Sequence, residues 1–203
     1  MANRIVAFGC SHTNGAGMID TWVDNDYIEA PSKYSYPNTL AESANMDLIN
    51  KGINGASNRQ ISNEILNFTF KDDDIVYVMW TYIERSCIIK EDRTIRIGTW
   101  IDNKINNLYY KNIYEYHNLL LESQHYIQLA KLHLEKTGVK FVFCCCSRIN
   151  FIKNNWFDAQ FLDLYFEDYK IDTAEDNYHL GIDSNKKFGT DLYNFTLRDK
   201  TKC

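Results

Sequence analysis

Two prolines and nine glycines in 203 residues leave little room for a long linker, and neither a low-complexity tract nor an internal repeat is present. The chain therefore reads as one domain, long enough to bury a sizeable core. It also lacks any apolar run near the roughly 18 residues of a membrane span. Arg4 is followed by only four apolar residues, 5–8, too few for a signal-peptide core. Ala7-Phe8-Gly9-Cys10 has no apolar segment before it, so it is not a lipoprotein cleavage site. The expectation is a cytoplasmic protein with no membrane partner. A basic stripe is missing as well: net charge is −5, with Lys and Arg scattered, which argues against a nucleic-acid partner. There is no Gly-Lys-Ser/Thr of a P-loop, and Gly15-Ala16-Gly17-Met18-Ile19-Asp20 lacks the third glycine of a dinucleotide fingerprint. No cofactor is expected.

Of the six cysteines, Cys10, Cys87, Cys144, Cys145, Cys146 and Cys203, three are consecutive within an apolar run. Neighbours on a strand point to opposite faces, which suits neither a disulfide framework nor a metal site. They read as small buried hydrophobes in a reducing compartment. His117, His125 and His133 recur every eight residues on a helical segment, too far apart for one metal, and read as half-exposed surface. No metal is expected.

What is present is an alternation of strand-like and helix-like runs. Residues 4–8, 46–50, 74–80 and 139–145 are strand candidates; the last two are nearly continuous apolar stretches, as in strands buried on both faces. A fifth strand is expected within 164–171. Ser35 and Pro37 suit a helix start, Ser57 is a good N-cap for a helix over 57–68, and 112–136 is the strongest helical pattern, stopped by Gly138. A last helix is expected from about Ser184 to Leu197. Residues 86–111 fit neither pattern; they are expected to form a hairpin, lid or insertion at the pocket mouth. The alternation implies a parallel sheet with helices on both faces.

In such sheets ligands bind beyond the carboxyl ends of the strands. Segments 9–13, 52–57 and 80–85 follow predicted strands, and Asp176-Asn177-Tyr178-His179 precedes the last helix. Ser11 is a poor nucleophile without a base; His179, three residues after Asp176, can be that base if the fold brings the chain ends together. Taken singly, Ser11 reads as a turn cap, Asp176 and His179 as a surface pair, and Gly55 as a turn residue; together, after the right strands, they favour a site. Cys10 is a competing nucleophile, aimed differently by strand alternation. Trp80 could close the core, and Arg85 could pair with Glu84 or Glu91 or else bind a substrate carboxylate or phosphate.

Gly9-Cys10-Ser11-His12-Thr13 resembles the first block of the SGNH (GDSL-like) hydrolases, and Asn50-Lys51-Gly52-Ile53-Asn54-Gly55-Ala56 resembles the second. Asp176-x-x-His179 resembles the last. The resemblance spans residues 5 to about 195. It implies a three-layer α/β/α sandwich around a flavodoxin-like parallel sheet. It also implies a carboxylic ester hydrolase with Ser11 as nucleophile, His179 as base and Asp176 as acid. Backbone amides of Ser11 and Gly55 would form the oxyanion hole; His12, Asn54, Trp80 and Arg85 would line the substrate site. Two blocks depart from the pattern. Cys10 replaces the aspartate before the nucleophile, and Val78-Met79-Trp80-Thr81-Tyr82-Ile83-Glu84-Arg85 replaces Gly-x-Asn-Asp, with Thr81 the first candidate for the missing oxyanion donor. The Trp-Thr-x-x-x-Arg run resembles small SGNH-like proteins of tailed phages, which would put the protein in a virion or a host cytoplasm. The expected activity is hydrolysis of small acyl esters, acetyl foremost, on a carbohydrate scaffold. The alternative is a weak or inactive SGNH-like binding or structural protein, such as a phage-associated carbohydrate-binding module.

Overall fold

A computed structural model of the chain describes residues 4–151 and 154–198. Four parallel strands form the central sheet in the order β4-β1-β5-β8, with β1 at Arg4–Gly9, β4 at Asp47–Gly52, β5 at Ile75–Trp80 and β8 at Lys140–Cys145. Register is continuous: Gly9 faces Gly52 across β1 and β4, and Trp80 faces Cys145 across β5 and β8. All six residues of β5 are buried, which is why its sequence shows no alternation. The four strand candidates are all present. The fifth is not: Tyr165 makes one parallel bridge to Cys145, and Phe166–Tyr169 then turns into a short 3-10 helix.

The helices pack in two layers. The crossover into β4 carries α2 (Tyr36–Ala44), whereas α3 (Asn58–Leu66) and α5 (Tyr116–Thr137) lie on crossovers running the other way across the sheet. Right-handed crossovers of opposite direction put their helices on opposite faces. Accordingly α2 packs on α6 (Ile182–Tyr193), and α3 packs on α5. The architecture is a three-layer α/β/α sandwich. Ser57 caps α3 through its side chain, which accepts from the Gln60 amide. Ser35 caps α2 without such a bond; its hydroxyl turns to the Ser32 carbonyl, and the first amide of the helix, Tyr36, is taken by Asn185 of α6. Tyr36, Phe166 and Phe188 meet in edge-on and tilted contacts at this layer's centre.

The helix expected over 112–136 is α5, which begins at Tyr116; a separate helix, α4 (Lys104–Asn112), lies almost wholly in the segment 86–111 that fits neither pattern, and Ile113 between the two is exposed. Asn103 and Glu115 cap α4 and α5 with their side chains, a break that the apolar spacing alone does not register. Residues Ser86–Ile89 (β6) and Thr94–Ile97 (β7) form an antiparallel hairpin. A second hairpin, β2 (Trp22–Val23) with β3 (Asp26–Tyr27), has two consecutive left-handed residues at its turn, Asp24 and Asn25. The last helix gives way after Tyr193 to a π-helical turn at Asn194–Arg198. Cys144, Cys145 and Cys146 are buried, and Cys203 lies outside the described residues.

Candidate active site

The carboxyl ends of β1, β4 and β5 converge with the segment that precedes α6. Ser11 opens a four-residue helix, α1 (Ser11–Asn14), directly after β1, and is buried to 4 % exposure. Amides in the first turn of a helix have no partner within it, so the Ser11 N–H is placed where a developing negative charge would be stabilised. The Ser11 carbonyl accepts from the amides of Gly15 and Ala16, which tightens the loop behind it.

Asp176 and His179 form a closed unit. The His179 ring nitrogen Nδ1 donates to Asp176 Oδ2 at 2.5 Å, and Oδ1 accepts the backbone amides of Tyr178 and His179. With Nδ1 donating, His179 presents Nε2 as its free lone pair. Tyr27, which sequence reasoning missed, donates its hydroxyl to Asp176 Oδ2 at 2.9 Å. Burial pushes the Asp176 carboxyl upward, but these hydrogen bonds outweigh it and hold the group well below the usual carboxylate range. Conversely, burial and the adjacent carboxylate raise the Tyr27 phenol, which stays a donor.

Two contacts join this unit to the loop after Ser11. The Glu175 amide donates to the Gly17 carbonyl at 2.9 Å, and the His12 and His179 rings lie 5.3 Å apart, centre to centre. Gly17 has φ +81°, and a Cβ there would run into the Asp176 carboxylate, so only glycine lets the two loops approach.

His12 is 8 % exposed, and its Nε2 lies 3.1 Å from the Tyr82 hydroxyl. That hydroxyl donates to Glu167, so it accepts from His12; the His12 proton is therefore on Nε2, and Nδ1 is left as a buried acceptor with no partner. Burial lowers the His12 pKa to about 4, with the charges of His179 and Arg85 acting in the same direction. His12 is neutral at pH 7.

Gly55 sits in the turn between β4 and α3 at φ +71°. Trp100 and Arg96 crowd it from the other side: a Cβ would lie 3.2 Å from Trp100 Cζ2 and 3.3 Å from Arg96 Cδ. Neighbouring Asn54 is half-buried, with a side-chain oxygen that has no partner. Arg85 pairs with neither Glu84 nor Glu91; its guanidinium lies 4.6 Å from the centres of both the Tyr82 and Trp100 rings.

One expectation is corrected. Trp80 is fully buried, edge-on to Phe143, and is a core residue out of a substrate's reach. Thr81, expected as a donor through its hydroxyl, has its backbone held: its amide donates to Asn58 Oδ1 at 2.8 Å, while the buried hydroxyl has no hydrogen-bond partner and stands near the Cys10 sulfur. Asn58, overlooked in the sequence, clamps Thr81 from both sides, since its Nδ2 also donates to the Thr81 carbonyl and to Ser123. Cys10 is buried with its sulfur 3.6 Å from that of Cys146, facing the core. Ring contacts around His12 bring in Phe166 at 4.9 Å, and the pair His125–Trp156 stacks at 4.5 Å on the far side of α5.

No family model matches the chain, and no curated protein sequence matches it. Solved structures do match. A lipolytic protein assigned to the G-D-S-L family, from Desulfitobacterium hafniense DCB-2, is 13% identical with a TM-score of 0.52, covering 95% of this chain and 98% of that one. An acetyl xylan esterase from the rumen bacterium Butyrivibrio proteoclasticus is 14% identical with a TM-score of 0.59; all of this chain aligns to 65% of that one. An aryl esterase from M. smegmatis is 12% identical with a TM-score of 0.51, covering 98% and 99%. The fold is that of the SGNH hydrolases.

Proposed function

We propose that the protein is a serine esterase of the SGNH type, acting through Ser11, His179 and Asp176. The observation that carries this reading is the Asp176–His179 unit, docked by the Glu175–Gly17 hydrogen bond against the loop that follows Ser11. Ser11 Oγ attacks the ester carbonyl while His179 Nε2 takes its proton. Asp176 keeps the imidazole in the tautomer this step requires and stabilises the imidazolium. The amides of Ser11 and Gly55 hold the tetrahedral oxyanion. His179 then returns the proton to the leaving alcohol, and a water, deprotonated by the same imidazole, releases the acid from Ser11. The Thr81 hydroxyl is the candidate third donor; losing one donor costs about 3 kcal/mol, roughly a hundredfold in rate, without abolishing catalysis. His12 and Asn54 line the pocket.

Small acyl groups, acetyl foremost, fit a nucleophile this deeply set, and the acetyl xylan esterase among the structural neighbours supports acetylated carbohydrate as the scaffold. Hydrolysis of p-nitrophenyl acetate by wild type and Ser11→Ala tests the chemistry. The substitution is expected to cut kcat/KM by roughly a thousandfold or more. Equal rates in the two proteins would leave a binding or structural role for the scaffold. Acetate release from acetylated xylo-oligosaccharide, compared with p-nitrophenyl acetate, tests the scaffold separately.

A further inference from the structure

Several cations of this protein have a carboxylate partner. Arg4 pairs with Asp74, Lys131 with Glu135 and Asp158, Arg148 with Asp168, and Lys187 with Asp191. Arg85 is different. No carboxylate pairs with it among the described residues, and its Nη1 is buried without a hydrogen bond. The Tyr82 and Trp100 rings both lie against the guanidinium, whose N–H donors lie along its in-plane edge. That edge presents parallel N–H groups, the geometry that grips a carboxylate or phosphate with two bonds. Rings attract a cation but cannot satisfy its N–H donors, and a buried donor without an acceptor is costly.

A second cation stands nearby. Arg96, on β7, has a buried Nε with no hydrogen bond, and its Nη1 comes only to 4.0 Å from Glu29, a side chain 84% exposed. Arg96 and Trp100 both border Gly55, and Trp100 in turn stacks on Arg85. Tyr82, on the other side of Arg85, holds His12. Arg85 is close enough for its charge to act on Cys10 and His12, the residues either side of Ser11. Two cations, each with a buried N–H donor left unbonded, thus flank the turn that carries Gly55, beside the candidate nucleophile.

We infer that Arg85 and Arg96 form an anion subsite next to Gly55, so that the ester this site takes carries a carboxylate or phosphate group. The subsite stands on its own geometry; only the statement that its anion belongs to an ester rests on the esterase reading.

Binding is measured first, on Ser11→Ala protein so that no turnover intervenes. Fluorescence of Trp100, which stacks on Arg85 and borders Gly55 alongside Arg96, is titrated at constant ionic strength with sodium succinate, inorganic phosphate and neutral succinamide. Saturable quenching is expected with at least one anion and not with succinamide, and whichever anion binds more tightly identifies the group. Arg85→Gln and, separately, Arg96→Gln are expected to weaken it at least tenfold, with thermal unfolding checking that each variant folds. Absence of saturable anion binding, or equal binding in both arginine variants, overturns the subsite. Kinetics on wild type follow, with two matched pairs: 4-nitrophenyl hydrogen succinate against 4-nitrophenyl butyrate, and 3-carboxyphenyl acetate against phenyl acetate. A tenfold or greater preference for the anionic ester is expected in at least one pair, collapsing in Arg85→Gln. Equal kcat/KM within both pairs, with hydrolysis still dependent on Ser11, overturns the anionic substrate and spares the esterase reading. Arginine-dependent anion binding with no hydrolysis of any ester does the reverse.

Discussion

Asp176 accepts four hydrogen bonds, from the His179 ring, the Tyr27 hydroxyl and the amides of Tyr178 and His179. That is the full acceptor capacity of an ionised carboxylate. Asp176→Asn keeps the shape but puts an amide where an acceptor is needed, turning the His179 ring away from the tautomer that leaves Nε2 free. Its kcat on p-nitrophenyl acetate is expected to fall by about four orders of magnitude with the fold intact, as for a triad that loses its acid. Tyr27→Phe removes one of the four donors and leaves Asp176 charged and still bonded to His179. Hydrogen bonds to charged groups are worth about 1.5–3 kcal/mol, so a loss of roughly tenfold in kcat is expected in the same assay. A rate for Tyr27→Phe equal to wild type would show that the other three bonds suffice to fix the ring.

At the scale of elements, what matters is how two loops from opposite ends of the chain meet. Gly17 follows α1, and its positive φ and missing side chain admit the Asp176 carboxylate. Gly17→Ala should therefore behave like a variant of the acid: esterase activity falls at least tenfold, and the left-handed backbone costs a further 1–2 kcal/mol of stability, roughly. Denaturant unfolding and the ester assay on one preparation check both. The same scale shows what the sequence makes legible. Buried parallel strands write themselves as apolar runs, so β1, β5 and β8 could be read directly, whereas β4, with no fully buried residue, showed only as a short candidate. Ser57 and Gly138 marked helix ends because capping chemistry is local. The roles of Tyr27, Tyr82, Glu167 and Asn58 could not be read, because each acts on a partner distant in sequence and no local spacing encodes such a pair. The Asn58 clamp on the Thr81 backbone could not be read for the same reason: it is a tertiary contact. The helix α4 went unread because its start rests on the polar cap Asn103 and only Asn106 of its residues is buried, so no apolar face marks it.

For the molecule as a whole, the buried titratable groups set how stability responds to acid. Folding lowers the His12 pKa from 6.5 to about 4. Between those values the unfolded chain binds a proton at this position and the folded protein does not, so stability falls as pH drops through that window. The full effect is about 3 kcal/mol. Asp74, held low by Arg4 against its own burial, and Asp176 contribute stability above the ordinary aspartate value of about 3.9, lost as pH falls further. Urea unfolding at pH 7, 5 and 3 is expected to show both stages, and His12→Gln to flatten the first while leaving the second. An unchanged slope in His12→Gln would mean that other groups carry the response. The hydrogen bond from Tyr27 to Asp176 has a further consequence: it closes a span of 149 residues. During synthesis Ser11 and Tyr27 leave the ribosome long before Asp176 and His179 exist to meet them. On the proposed mechanism, a premature stop anywhere before Asp176 yields a fragment that cannot hydrolyse an ester.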